Sequence, residues 1–277
     1  ELLGDPATVW LYPTRPFGPS QRVEHWVRGK TLGGSSSING MVYNRGNRAD
    51  YDALAHLGNP GWGWDDMLPA FTAIEDNELG ASDVRGVGGP LQVSTVDGTD
   101  PLIEDVITAG TKLGWRRMRD LNETDEERIG YTMATIRDGR RVSAATAFLH
   151  PVMDRPNLTV ALHTVVDGVL LDGGRAAGVR AVGVRGRQDG QGFEARATRE
   201  VILAAGAIAT PKILQLSGIG PADTLRSAGV DVVVDSPHVG ARMREHRVFQ
   251  LQVRLAGDLG YNKLLATEEG QRAAMAQ

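Results

Sequence analysis

The sequence predicts an α/β fold of mixed α and β character, on three observations. Runs with helical spacing of apolar residues alternate with β-rich runs. Two segments, Val201-Ile202-Leu203-Ala204-Ala205 and Val230 to Val234, are apolar on both faces, as buried strands are. Between Leu158 and Leu203 several β-rich runs follow one another with turn residues between them, an antiparallel meander set into the rest.

The elements follow in order. Residues 1–28 are rich in Pro and aromatics without periodicity and read as an extended segment. Asp50 to Leu57 forms a short helix that Gly58 ends. Asn59-Pro60-Gly61-Trp62-Gly63-Trp64 is a turn-rich loop, and Asp65 is placed to cap a helix through Met67, Leu68, Phe71 and Ile74. Residues 80–98 form a Gly-rich loop with a short strand at Leu91 to Ser94. Pro101 opens a helix with Leu102, Val106, Ala109 and Leu113 at helical spacing and Gly114 at its end.

The second half is β-rich: Leu158 to Leu162, Val165 to Leu171, Ala176 to Arg187 and Phe193 to Leu203. Asp172-Gly173-Gly174 and Asp189-Gly190 supply the turns. After the buried strand at Val201 comes Gly206, then Thr210 as a cap, Pro211 at a first helical position and a helix from Lys212 to Ser217 ended by Gly218.

Composition excludes several classes. The 277 residues are ample for two domains, and 41% apolar with 23% charged residues excludes a disordered or fibrous chain. The longest apolar run, Val201 to Ala209, is far short of the ~20 residues of a membrane helix, so no membrane span is expected. A net charge of −4 and a pI near 5.9 leave no footprint for nucleic acid. With no cysteine there is no disulfide, thiolate nucleophile or iron–sulfur cluster, which fits a cytoplasmic location. Only four of the 30 basic residues are Lys, a bias typical of GC-rich bacterial genes. The chain begins Glu1-Leu2-Leu3, and Glu268 to Gln277 reads as the middle of an amphipathic helix, so the expectation is a piece of a longer protein.

The six histidines (His25, His56, His150, His163, His238 and His246) are not paired at metal-ligand spacing, and no metal site is expected. Asp120-Leu121-Asn122-Glu123 fails as a calcium loop, because its sixth position is Asp125 and its twelfth Tyr131. The acidic run Glu123 to Glu127 reads as a solvated loop. Trp62 and Trp64 read as packing against the following helix, with a substrate-channel wall as the alternative. No Gly-x-Ser-x-Gly elbow supports a serine hydrolase.

Two motifs carry the chemistry. The first runs Gly29-Lys30-Thr31-Leu32-Gly33-Gly34-Ser35-Ser36-Ser37-Ile38-Asn39-Gly40. Paired glycines admit a ligand against the backbone, and three serines offer hydroxyls and successive N–H groups, as a helix start does for phosphate. It is not a phosphate-binding Walker loop, since the glycine required five residues before Gly29 is Glu24. The second runs from Ala204-Ala205-Gly206 through Thr210-Pro211 to Ser217-Gly218-Ile219-Gly220. A strand that ends in glycine and passes into a helix marks a cofactor position in an open α/β sheet.

Together the two motifs resemble the two signatures of the glucose–methanol–choline (GMC) oxidoreductases. The likeness extends over nearly the whole chain, through Tyr43-Asn44-Arg45-Gly46, Pro60-Gly61-Trp62, Gly89-Pro90-Leu91, Asp120-Leu121-Asn122, Gly139-Arg140-Arg141-Val142-Ser143 and Arg155-Pro156-Asn157-Leu158. It implies a GMC-type FAD-binding domain with an inserted antiparallel meander and an interleaved substrate domain. The segments it implies are a lid over the cofactor at 1–28, FAD-binding parts at 29–59 and 101–235, a substrate-domain segment at 60–100 and the start of a C-terminal substrate-domain part at 236–277.

The resemblance also implies FAD as cofactor. It places Gly33, Gly34 and Ser35 beside the pyrophosphate, and Asn39 and Gly40 near the isoalloxazine, with Met41 and Val42 continuing the contact. It places the Val166 backbone at adenine and Ala205 and Gly206 on the adenosine side. Family members with covalent flavin carry a His where this chain has Ile38, so the FAD is expected to be non-covalent. The implied reaction is oxidation of an alcohol: a base takes the hydroxyl proton, hydride passes to flavin N5, and electrons go to oxygen, a quinone or another acceptor. The family's His base and its N-terminal Gly-x-Gly-x-x-Gly unit have no counterpart in these residues, so no catalytic residue is assigned here and the remainder of the polypeptide is an expected partner. His246 matches a position ending the flavin domain and reads as structural. The alternatives are a hydroxynitrile lyase of the same fold and an inactive fragment with an incomplete FAD site.

Overall fold

A computed structural model describes residues 4–95, 100–173, 180–246, 248, 252–255, 257 and 265–275. Gly174 of the expected turn and the Ala176 end of the next expected strand lie outside them. Helices and strands are mixed as expected, in two compact units, residues 1–158 with 254–277 and residues 159–253.

The first unit opens with a hairpin of β1 (Val9–Pro13) and β2 (His25–Gly29), in which Val9 pairs with Gly29 and Pro13 with His25. The segment expected to be merely extended therefore finds its backbone partners in itself, and Val9 is buried. A single 3-10 turn covers Gly34–Ser37, and β3 (Val42–Tyr43) follows. Helix α1 (Arg48–His56) starts in a reciprocal cap between Asn47 and Asp50. Helix α2 (Trp64–Ile74) has Gly63, in extended conformation, at its N-cap; Asp65 sits inside the first turn, so the expected cap at Asp65 is corrected to a position two residues earlier. Tyr51, Trp64 and Phe71 pack their rings 5.6 to 6.4 Å apart between the two helices.

Strand β4 (Glu75–Asn77) runs parallel to β5 (Leu91–Val93). Helix α3 (Pro101–Lys112) is capped by Asp100, whose side chain accepts from Leu102 and Ile103 N–H. Next come short pairs: β6 (Arg116–Arg117) with β7 (Arg128–Ile129), and β8 (Met133–Ala134) with β3. Then β9 (Ile136–Arg137) and β10 (Arg140–Arg141) form a tight hairpin, followed by one π-helical turn at Ala145–Leu149. The acidic run is tied down rather than merely solvated: Glu123 pairs with Arg85, and Asp125 accepts from Arg48 N–H.

The second unit holds the expected meander, β11 (Thr164–Asp172), β12 (Arg180–Gln188) and β13 (Gln191–Arg196), all antiparallel. Asp189 and Gly190 join the last two with positive φ of 49° and 82°, a two-residue turn that matches strand twist. Helix α4 (Gly206–Leu216) packs on β11, where Ser217 Oγ accepts from Val169 N–H at 2.8 Å. Strand β14 (Ile219–Gly220) pairs parallel with β15 (Val234–Asp235), with α5 (Ala222–Ser227) between them.

Several expectations fail here for physical reasons. Leu158 to Leu162 forms no strand, and Val201 to Ala205 forms none either. Neither segment has a ladder partner among the described residues, and Ile202 is 77% exposed. Apolar residues on both faces mark a segment suited to a buried strand, but only a partner backbone makes it one. Val230 to Val234 contributes only Val234 to a strand, because β14 is two residues long. Helix α4 starts at Gly206, so Thr210 is no cap and Pro211 lies inside the helix, where it deletes one backbone bond.

Candidate functional site

The Gly29–Gly40 segment folds into a closed loop whose glycines do two different jobs. Gly33 takes φ 86° and caps the 3-10 turn. A Cβ there would lie 2.6 Å from Ser37 Oγ and 3.1 Å from Ala145 N, so only glycine fits between the loop and the π-helical turn. Gly34, at φ 56°, and Gly40 are the opposite case, with no atom within 4 Å of a Cβ position. Their backbone is open to an incoming group.

The serines do not all serve as the sequence suggests. Ser36 Oγ donates to Gly33 O at 2.5 Å and accepts from Ala144 N–H at 2.8 Å. Ser37 Oγ donates to Leu32 O at 2.7 Å. Both hydroxyls are spent on holding the loop. Ser35 Oγ accepts from Gly29 N–H at 3.1 Å, which leaves its own proton available. The N–H groups of Gly33, Ser35 and Gly40 carry no hydrogen bond among the described residues. Unpaired amides around open glycines are the chemistry of an anion cradle, so the residues fit a pyrophosphate-bearing cofactor.

Beyond the loop the chain turns at Asn39-Gly40-Met41. Met41 adopts φ 61°, a left-handed conformation that costs a side-chain-bearing residue of order 1–3 kcal/mol. Its N–H donates to Asn39 Oδ1 at 3.0 Å and its carbonyl accepts from Thr135 N–H at 2.9 Å. Val42 enters β3 opposite Ala134 and is 56% exposed. Burial pushes the Tyr43 phenol up from its ordinary value, against the opposing pull of Arg45, so it stays neutral near pH 7.

In the second unit, Val166 sits half-buried in β11 opposite Gly186, at the edge of a bulge between Val166 and Gly168. Ala205 and Gly206 are exposed at the start of α4. Gly206 has φ 86° and no neighbour at its Cβ position, so its backbone, not crowding, requires glycine. No side chain caps α4 and no acidic residue lies in its first turn. Gly33, Gly34, Ser35, Asn39, Gly40, Met41 and Val42 thus share one continuous loop in the first unit, and Val166, Ala205 and Gly206 lie on packed elements of the second.

Sequence reasoning missed Arg141 and Thr135, which grip the loop from the β9–β10 region. Gly139 to Ser143 stood out as a motif, but nothing in its spacing said what it touches. Trp64 is buried in the aromatic trio while Trp62 stays half exposed, so packing is the role of Trp64. His246 is exposed. Among the described residues no cluster of His, Asp or Glu could hold a metal ion, and no helix is long and apolar enough to cross a membrane.

The model of the GMC oxidoreductase family matches residues 17–248. The chain is 42% identical over 238 residues to the mitochondrial choline dehydrogenase of Mus musculus, covering 86% of this chain and 39% of that protein. It is 43% identical to the oxygen-dependent choline dehydrogenase of Stenotrophomonas maltophilia (strain K279a), covering 88% of this chain and 43% of that one. Among solved structures, pyridoxine 4-oxidase from Mesorbium loti matches with a TM-score of 0.75 at 38% identity, covering 83% of this chain and 45% of that one. The chain therefore spans about two-fifths of the length of the curated relatives it matches.

Proposed function

Because this chain belongs to the GMC oxidoreductases, a family of FAD enzymes acting on CH–OH groups, we propose that it supplies the central part of the cofactor site of an FAD-dependent alcohol oxidase or dehydrogenase. The observation that carries this reading is the Gly33–Met41 loop: open glycines, unpaired amides and a turn held in a strained conformation. The substrate is a small primary or secondary alcohol, and the likeness to two choline dehydrogenases favours one bearing a cationic group. The acceptor is oxygen or another oxidant, with oxygen favoured by the relative from Stenotrophomonas maltophilia.

When bound, FAD supplies the hydride acceptor for the alcohol carbon. The chain's own residues bind and orient it. Gly33 and Ser35 would hold the pyrophosphate through their unpaired backbone N–H groups and the free Ser35 hydroxyl, with the open backbone of Gly34 admitting it, each charge-assisted bond being stronger than a neutral one. Asn39, Gly40, Met41 and Val42 would lie against the ring system, where the unpaired Gly40 N–H would favour negative charge as it develops. The Val166 backbone, Ala205 and Gly206 receive the adenosine end. Residues 1–28 belong to a cofactor-covering lid, residues 29–59 and 101–235 to the FAD-binding part, and residues 60–100 and 236–277 to the substrate domain. No described side chain is assigned as the base that takes the alcohol proton.

The test is the visible spectrum of the purified protein beside its intact mass, then anaerobic titration with a panel of alcohols. A flavin band bleached by an alcohol supports the reading. A colourless protein that takes up no added FAD sinks it for this chain. After acid precipitation the flavin is expected in the supernatant, because Ile38 offers no atom for a covalent bond; yellow pellet would refute the non-covalent assignment.

A further inference from the structure

Arg141 lies 102 residues beyond Asn39 in sequence, yet its Nη1 donates to Asn39 Oδ1 at 2.7 Å and to the Ser36 carbonyl at 3.1 Å. The same Oδ1 accepts from Met41 N–H. With two donors on its oxygen, the Asn39 amide has one orientation, and its Nδ2 group carries no hydrogen bond among the described residues. On the other side of the turn, Thr135 donates to the Met41 carbonyl through its N–H. The turn is therefore gripped at both ends by one segment, Thr135 to Arg141. A left-handed methionine is a strained conformation, and the charge-assisted bonds from Arg141 to Asn39 Oδ1 and the Ser36 carbonyl oppose its release.

We propose that Arg141 is a positioning residue of the cofactor loop. By holding Asn39 Oδ1 it sets the Asn39-Gly40-Met41 turn before any ligand arrives, and so presents Asn39 Nδ2 and the Gly40 N–H as a preformed pair of donors to the acceptor atoms on one edge of the flavin ring. This rests on the reading that the loop binds flavin. Both bonds come from a single nitrogen, so a lysine ammonium can replace them, whereas a glutamine of shorter reach and no charge cannot.

The experiment compares the purified protein with Arg141→Gln and Arg141→Lys, all three checked for equal far-ultraviolet circular dichroism. Two quantities are read: hydrogen exchange of residues 36–42 without added flavin, and FAD affinity from quenching of flavin fluorescence. The expected result for Arg141→Gln is exchange about tenfold faster and FAD binding about tenfold weaker, the size of one lost charge-assisted bond. Arg141→Lys is expected to stay within about threefold of the parent in both. Unchanged exchange in Arg141→Gln, unchanged FAD affinity, or a lysine variant as impaired as the glutamine one overturns the role given to Arg141. An unsubstituted protein that takes up no FAD sinks the flavin reading itself and the donor pair with it, whatever the exchange shows.

Discussion

Arg45 and Glu75 meet at 2.5 Å with side chains only 3% and 1% exposed. Further bonds hold both partners, while the buried Arg45 Nε has no hydrogen-bond partner among the described residues. Arg45 also donates to Val84 O at 2.6 Å, and Glu75 accepts from Asn77 Nδ2 at 2.7 Å and from Gly86 N–H at 3.1 Å. The guanidinium lies 5.1 Å from the Phe71 ring centre. These contacts join the segment that follows β3 to the β4–β5 pair and the aromatic trio of α1 and α2.

Removing one partner leaves a buried charge without compensation, which costs about 3–5 kcal/mol, a large part of the ~5–15 kcal/mol that holds an ordinary domain. Glu75→Gln is therefore expected to lower the urea midpoint steeply. The double variant Arg45→Met with Glu75→Leu is expected to recover only part of that loss, since it removes the lone charge but leaves Val84 O, Asn77 Nδ2 and the Gly86 N–H without these partners. A single variant as stable as the parent would show that the pair is not sealed.

Gly33 and Gly206 share φ 86° but differ in surroundings. An alanine at either position meets the left-handed penalty of about 1–2 kcal/mol. Gly33→Ala meets in addition the Ser37 hydroxyl and the Ala145 amide, so it is expected to be clearly less stable than Gly206→Ala. Thermal melts of the two variants decide it; equal shifts contradict the crowding at Gly33.

Trp64 is buried beside Tyr51 and Phe71, whereas Trp62 is 52% exposed. Trp64→Ala is expected to cost about 3–5 kcal/mol, the range for a buried aromatic. Trp62→Ala is expected to stay within about 0.5 kcal/mol, as surface changes do. Denaturant titration followed by circular dichroism separates them, and a Trp62 variant that alters alcohol turnover without altering stability would return that residue to the substrate channel.

Arg117 grips Glu104 with both nitrogens, at 2.7 and 2.9 Å. These hydrogen bonds hold the Glu104 carboxyl below its ordinary value and raise Arg117 in turn. A depressed carboxyl contributes stability above its unfolded pKa and loses it as pH falls through the folded one. Stability is therefore expected to fall on acidification below the usual glutamate range, and less so in Arg117→Ala. The pair is solvent-accessible, so added salt is expected to shrink the difference. Melting temperatures of both proteins from pH 7 to pH 3 at two salt concentrations check this; parallel curves contradict it.

The helices were the most legible parts of the sequence, because their signals are local. Gly58 and Gly114 end α1 and α3 at positive φ, and Pro101 opens α3 behind its cap. The turn at Asp189-Gly190 was readable for the same reason. The strands were less legible. Val201 to Ala205 has the composition of a buried strand and no strand geometry, while β1 and β2 form a hairpin from a stretch without periodicity. A strand is a relation between two backbones, and composition reports on only one of them.

The sequence by itself determined the family, the mixed α/β class, the meander and the loop on which the cofactor reading rests, since each is carried by residues adjacent in the chain. Only the tertiary structure decided how that loop is held. Ser36 and Ser37 turn their hydroxyls inward, Met41 is kept left-handed by Asn39 and Thr135, and Arg141 reaches back to Ser36 and Asn39. Hydrogen bonds between residues a hundred positions apart leave no periodic trace in a single chain. They depend on which elements pack together, and that is settled by folding.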